Sequence, residues 1–147
     1  MSAKLIETHR KDAQVYNGPV QCKQKLDELM KEINMPSILF PLVDIQEFGY
    51  NKSTGFVWLT LSKPVQHKFT KMKKLVSYDN HVTAFVEPGR LKNVKGVKSK
   101  EVLIWFTLSD FYIEDPNSGK VIVANPSGLT FPINISDFEE EDKNAQK

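Results

Sequence analysis

The sequence predicts a mainly β domain with one amphipathic helix packed near its N-terminus, and three observations predict it. After residue 42, short apolar stretches alternate with turn residues at regular spacing, the pattern of an all-β domain. Before that point, Leu26, Leu29, Met30 and Ile33 recur at i, i+3, i+4 and i+7, with Cys22 one turn earlier on the same face. This is a helix with one apolar stripe, suited to lie across a sheet. The third observation is residues 101–113, EVLIWFTLSDFYI, the longest nearly uninterrupted apolar run of the chain. Its β-branched and aromatic content favours a strand over a helix. Val102, Ile104, Phe106 and Leu108 on one side are matched by Leu103 and Trp105 on the other. The run therefore reads as a central strand covered on both faces.

Taken in order, residues 3–16 read two ways: Leu5, Ile6 and His9 share a helical face, while Ala13 to Tyr16 can begin a strand. Pro19, after Asn17-Gly18, suits the first position of the helix at about 20–33, and Asn34 and Pro36 end it. Residues 37–42 connect helix to sheet. Val43 and Ile45 share one strand parity and Phe48 and Tyr50 the other, so a β-bulge is expected near Gln46-Glu47. Residues 51–55 read as a hairpin loop and 56–61 as a strand. Val65, His67 and Phe69 alternate with Gln66 and Lys68. Residues 75–78 read as a short strand, Asp79-Asn80 as a turn, and 82–86 as a further strand. Residues 89–100, basic and containing Gly89 and Gly96, read mostly as loop. Turns at 115–119 and 125–128 bracket a strand at 121–124. Leu129, Phe131, Ile133 and Ile135 then alternate with polar partners, and Pro132 on the polar parity suits an edge strand. Residues 1–138 form a single domain in this reading, and 139–147, charged and without apolar anchors, a disordered tail.

Composition excludes several classes. A formal net charge of +2 over 147 residues is too small to indicate nucleic-acid binding without a basic motif. The one cysteine, Cys22, forms no internal disulfide, which fits a reducing compartment. The N-terminus carries no signal-peptide h-region, no apolar run reaches membrane-spanning length, and no lipidation motif is present. A cytoplasmic location is the expectation.

Specific residues then point to a family. Leu26-Asp27-Glu28-Leu29, Asn34-Met35-Pro36, Leu39-Phe40-Pro41-Leu42, Phe48-Gly49-Tyr50-Asn51 and Thr54-Gly55-Phe56-Val57-Trp58-Leu59 occur in this order. Val76-Ser77-Tyr78-Asp79, Gly96-Val97-Lys98-Ser99-Lys100-Glu101, Trp105, Phe131-Pro132-Ile133 and Phe138 follow. Together they resemble the plant DUF538 family, in its subgroup without a signal peptide, over roughly residues 20–138. The resemblance implies a plant source and a barrel-like fold with a helix packed on it. It also implies links to stress and trichome development, and a likeness to lipid-binding bactericidal/permeability-increasing domains. It carries over no catalytic residue. With it, the expected fold is a small β-barrel or strongly bent β-sandwich with one packed amphipathic N-terminal helix.

The sequence holds no phosphate loop, dinucleotide fingerprint, zinc-protease motif, CxxC pair or nucleophile elbow. His67 shares parity with Val65 and Phe69 and is the candidate general base if it faces a cavity, against the plainer reading of a hydrogen-bonded core or rim histidine. Cys22 on the apolar stripe reads as packing rather than as a nucleophile. Three histidines without ligand spacing make no zinc site, and no metal or cofactor is expected. Tyr50, Trp58, Tyr78 and Trp105, with Tyr112, are amphipathic aromatics that would line a ligand pocket or else serve as core and rim. Two lysine-rich clusters, residues 68–74 and 90–100, are solvated faces or peripheral contacts to anionic headgroups.

Three functions follow. The first is a binding protein for a small apolar or amphipathic, lipid-like ligand in a barrel cavity. The second is an enzyme performing acid–base chemistry there, of isomerase, cyclase or esterase type. The third is an interaction module acting through the basic loops.

Overall fold

The structure, a computed structural model, describes residues 2–139. The tail expected at 139–147 lies, apart from Glu139, outside the described residues. The ambiguous N-terminal stretch forms both elements offered for it: α1, Ser2–Arg10, and β1, Gln14–Asn17. Gly18, at φ 90°, turns the chain into α2, Pro19–Glu32, with proline in the first turn, where the missing N–H costs no helical bond. Cys22, Leu26, Leu29, Met30 and Ile33 are all buried, as their spacing predicts. At the other end Asn34 takes φ 61°. Its N–H bonds the Lys31 carbonyl at 3.1 Å, and the Met35 N–H reaches the Met30 carbonyl at 2.9 Å. This is the Schellman arrangement, and it satisfies carbonyls the helix leaves open.

A 3-10 turn at Ser37–Leu39 leads to the sheet. Its strands are β2 (Ile45–Asn51), β3 (Phe56–Leu61), β4 (Val65–Phe69), β5 (Lys74–Glu87), β6 (Arg90–Glu101), β7 (Ile104–Thr107), β8 (Asp110–Tyr112), β9 (Lys120–Ala124) and β10 (Thr130–Asn134). All pairings are antiparallel, and the main path runs β1-β2-β3-β5-β6-β8-β9-β10. The expected bulge appears as a register slip between Ile45 and Glu47. A further 3-10 turn, Ile135–Phe138, follows β10.

The long β5–β6 hairpin belongs to two parts of the sheet. Its closed end carries β3 and β8; its open end carries β4 and β7. Between the two the β5–β6 register slips, from Tyr78 to Thr83 and again before Phe85. Gly96 lies at this slip with φ 93°, and a Cβ on it would stand 2.4 Å from the His81 carbonyl oxygen. The strands pass there too closely for a side chain. The resulting curl brings Phe69 of β4 within 5.2 Å, centroid to centroid, of Phe138 beyond β10. β1 and β10 do not pair, so the sheet is strongly bent but open rather than a closed barrel. The main core lies between α2 and the sheet, and Ile6, Phe56 and Trp58 form a second cluster under α1.

Three expectations need correction. Residues 101–113 are not a central strand. They form the tip of a hairpin, the short strand β7 and then β8, and Val102 and Leu103 are 90% and 83% exposed. The alternation is lost because a turn runs through the apolar run, not because the run is covered on both faces. Residues 89–100 are not loop but β6. Leu91, Val94 and Val97 are its buried positions, at a spacing of three, because Asn93 (φ 51°) and Gly96 shift the phase. That spacing hides a period of two. Asp79-Asn80 lies within β5, at its irregular centre, and makes no reversal.

Candidate ligand pocket

Where the open end of the β5–β6 hairpin curls toward β10, the fold leaves a cavity of about 410 Å³. Its floor includes Val76 and Tyr78 of β5, Val97 of β6 and Leu39. Phe69, Phe106, Phe111, Phe131 and Phe138, each from a different element, form much of its wall. The polar lining groups are Ser99, Asn134, Asp137, Lys120 and the ion pair of Lys74 with Glu101. Strand pairing explains the arrangement. His67, Val76, Ser99 and Phe106 are successive partners across β4, β5, β6 and β7 and so share one face. Three of these four line the cavity. The adjacent row of Lys68, Leu75, Lys100 and Trp105 lies on the opposite face.

Of the aromatics singled out from sequence, Tyr78 lines the cavity. Its hydroxyl donates to the Leu39 carbonyl at 2.7 Å, and burial raises its pKa far above the ordinary phenol value. It is a neutral, fixed wall at physiological pH. Tyr50 packs half-buried against the main core, and burial raises its hydroxyl pKa too. Trp58 is fully buried under α1, where its Nε1 donates to Glu47 at 2.9 Å and Arg10 lies over its ring. Trp105 is on the outer face, with Lys100 Nζ 5.8 Å from its ring centroid. His67 is half-buried on the cavity-facing row, its ring edge-on to Phe69 at 4.5 Å, but it is not a lining residue. Tyr112 is half-buried beside Arg90, clear of the cavity.

Cys22 is fully buried, its thiol bonded to the Tyr16 carbonyl at 3.3 Å and its pKa raised by burial. A thiol held neutral in this way packs and does not attack. Among the described residues, no group of three or more His, Cys, Asp or Glu is placed to hold a metal. The phenylalanine wall was missed in the sequence. Parity within β5 shows that Val76 and Tyr78 share a face, but no single-strand pattern shows which distant strands close over them.

A bent, open antiparallel sheet with a phenylalanine-walled pocket defines a small pocket-bearing β domain. The family model described as "Protein of unknown function, DUF538" matches residues 26–139, and the chain belongs to that family. No curated protein and no solved structure is found to match it. No helix among the described residues is long and apolar enough to cross a membrane.

Proposed function

We propose that the protein binds a small apolar or amphipathic, lipid-like molecule in the cavity between β5, β6 and β10. The observation that carries this is the lining: aromatic and aliphatic walls, with a few charged groups among them, the Lys74–Glu101 ion pair, Lys120 and Asp137. A volume of about 410 Å³ falls within the usual range for small-molecule sites, in which apolar walls supply affinity and a few polar groups fix orientation. Apolar walls with a few charged groups suit an amphipathic ligand. In this reading the protein works in a plant cytosol, as its family likeness and its single buried thiol suggest. The test is titration with a fluorescent fatty acid. Val76→Phe fills the floor and should weaken binding by at least about tenfold, the loss of ~1.4 kcal/mol or more of apolar contact. Equal binding by both proteins, or none by either, would reject the site.

A second reading, acid–base chemistry on a bound metabolite, is favoured by one observation: His67 shares the row of Val76, Ser99 and Phe106. Under it, His67→Phe should lower turnover by about two orders of magnitude while the fold survives. Undiminished turnover in that variant would end His67's candidacy.

A further inference from the structure

The β6–β7 turn is built against ordinary turn chemistry. Glu101 pairs with Ile104, so Val102 and Leu103 are its two central residues. Only the first, Val102, has positive φ, at 57°. Glycine is favoured at such a position, and a β-branched residue there is an outlier. Neither side chain gains packing in return, since Val102, Leu103 and Ile104 are 90%, 83% and 61% exposed. An isolated exposed apolar residue needs no explanation, but a strained tip made of consecutive ones does.

The pairings also show what surrounds this tip. Phe69 pairs with Lys74, so the turn at residues 70–73 lies at the same end of the sheet, and Leu75 pairs with Lys100 one row below. Lys71 and Lys73 are exposed in the neighbouring turn and Lys68 one row below, with Lys74 and Lys100 half-exposed; Lys98 is exposed further down β6. Glu101 is the one acidic residue within these two turns and their flanking rows, and Lys74 neutralises it. The lysines of residues 68–74 thus meet Lys100 of β6 around one apolar projection, while Arg90, Lys92 and Lys95 lie toward the closed end of the hairpin.

The geometry points to a membrane-docking tip. Val102, Leu103 and Ile104, with Trp105 at the interfacial level, enter the headgroup boundary of an anionic bilayer, and the surrounding lysines meet its lipid phosphates and carboxylates. Apolar insertion combined with a basic collar is the chemistry of interfacial anchoring, and each lysine near such a surface adds to the attraction. Met72 of the 70–73 turn, with Lys74 and Phe106 on the strands that leave the two turns, lines the cavity, so docking would bring this end of the cavity toward the lipid. The inference stands whether or not the cavity holds a ligand.

The chain carries its own reporter. Of its two tryptophans, Trp58 is fully buried and Trp105 is at the tip, 37% exposed. Vesicles of phosphatidylcholine, with and without one-third phosphatidylserine, are added to the full chain. The expected result is sedimentation with the anionic vesicles, a blue shift of tryptophan emission and quenching by bromine-labelled acyl chains. Added salt should weaken the binding. The variant carrying Val102→Gly and Leu103→Ser supplies the preferred turn residues, so it keeps the fold. It should bind anionic vesicles at least about tenfold more weakly, as expected for removing two inserted apolar side chains. The proposal is overturned if the full chain does not sediment with anionic vesicles, or if the variant binds equally. It is also overturned if binding leaves tryptophan emission unchanged, or if the tip substitutions turn a dimer into a monomer without altering vesicle binding. Val76→Phe, which fills the cavity, should leave vesicle binding intact, so failure of the tip and failure of the pocket are read separately.

Discussion

Glu47 joins three elements through one carboxylate. Arg10 donates to both its oxygens, at 2.7 and 3.3 Å, and the Trp58 indole N–H donates to it at 2.9 Å. The Arg10 hydrogen bond holds the carboxyl pKa below its ordinary value; burial acts the other way, and the Trp58 bond then adds to the lowering. A depressed carboxyl pKa contributes stability that is present above the unfolded value, about 4.3, and is lost as pH falls through the lower folded value. Glu47→Gln should therefore melt below wild type at neutral pH, and the gap should close in acid. Melting curves separated by the same interval from neutral to strongly acid pH would contradict this. Thr83 makes the opposite case. It is almost fully buried, and its hydroxyl has no hydrogen-bond partner among the described residues. An unbonded buried hydroxyl costs about 1–3 kcal/mol, so Thr83→Val should leave stability unchanged or raise it. A fall of more than ~1 kcal/mol in chemical denaturation would show that the hydroxyl has a partner.

Among the elements, α2 was legible because all its signals agree: the apolar stripe, Pro19 at the start, and Asn34 and Pro36 at the end. Leu29→Asp would place a carboxylate among buried side chains and should cost about 3 kcal/mol or more. An unchanged melting temperature would refute the packing of α2 on the sheet. β6 was not legible. Its lysines and two glycines have loop propensity, and its buried positions fall three apart because the strand bends. Residues 101–113 show the converse: their apolar content signals burial, whereas Val102 and Leu103 face solvent. Both errors lie on the β5–β6–β7 unit, where irregular backbone shapes the pocket and its mouth. Gly96→Ala probes that bend. Its Cβ would clash with the His81 carbonyl at a positive φ, so the substitution should destabilise by about 1–3 kcal/mol. Wild-type stability in this variant would mean that the crossing can relax.

For the molecule as a whole, curvature is the feature that matters. A flat sheet of these strands would leave Phe69, Phe106, Phe131 and Phe138 apart. The bend at Gly96 and the approach of Phe69 to Phe138 gather them around Tyr78 and Val97. Sequence could rank Tyr78 as an amphipathic aromatic, but not separate it from Trp58, whose ring closes a different core. That distinction depends on pairing between strands far apart in the chain. Binding in the gathered pocket is most directly tested by native mass spectrometry of protein purified from its source tissue, in wild-type and Val76→Phe forms. The account predicts a co-purifying small molecule on the wild-type chain that is displaced by added fatty acid and is absent from Val76→Phe. A wild-type chain at its bare mass that also takes up no added fatty acid would contradict it.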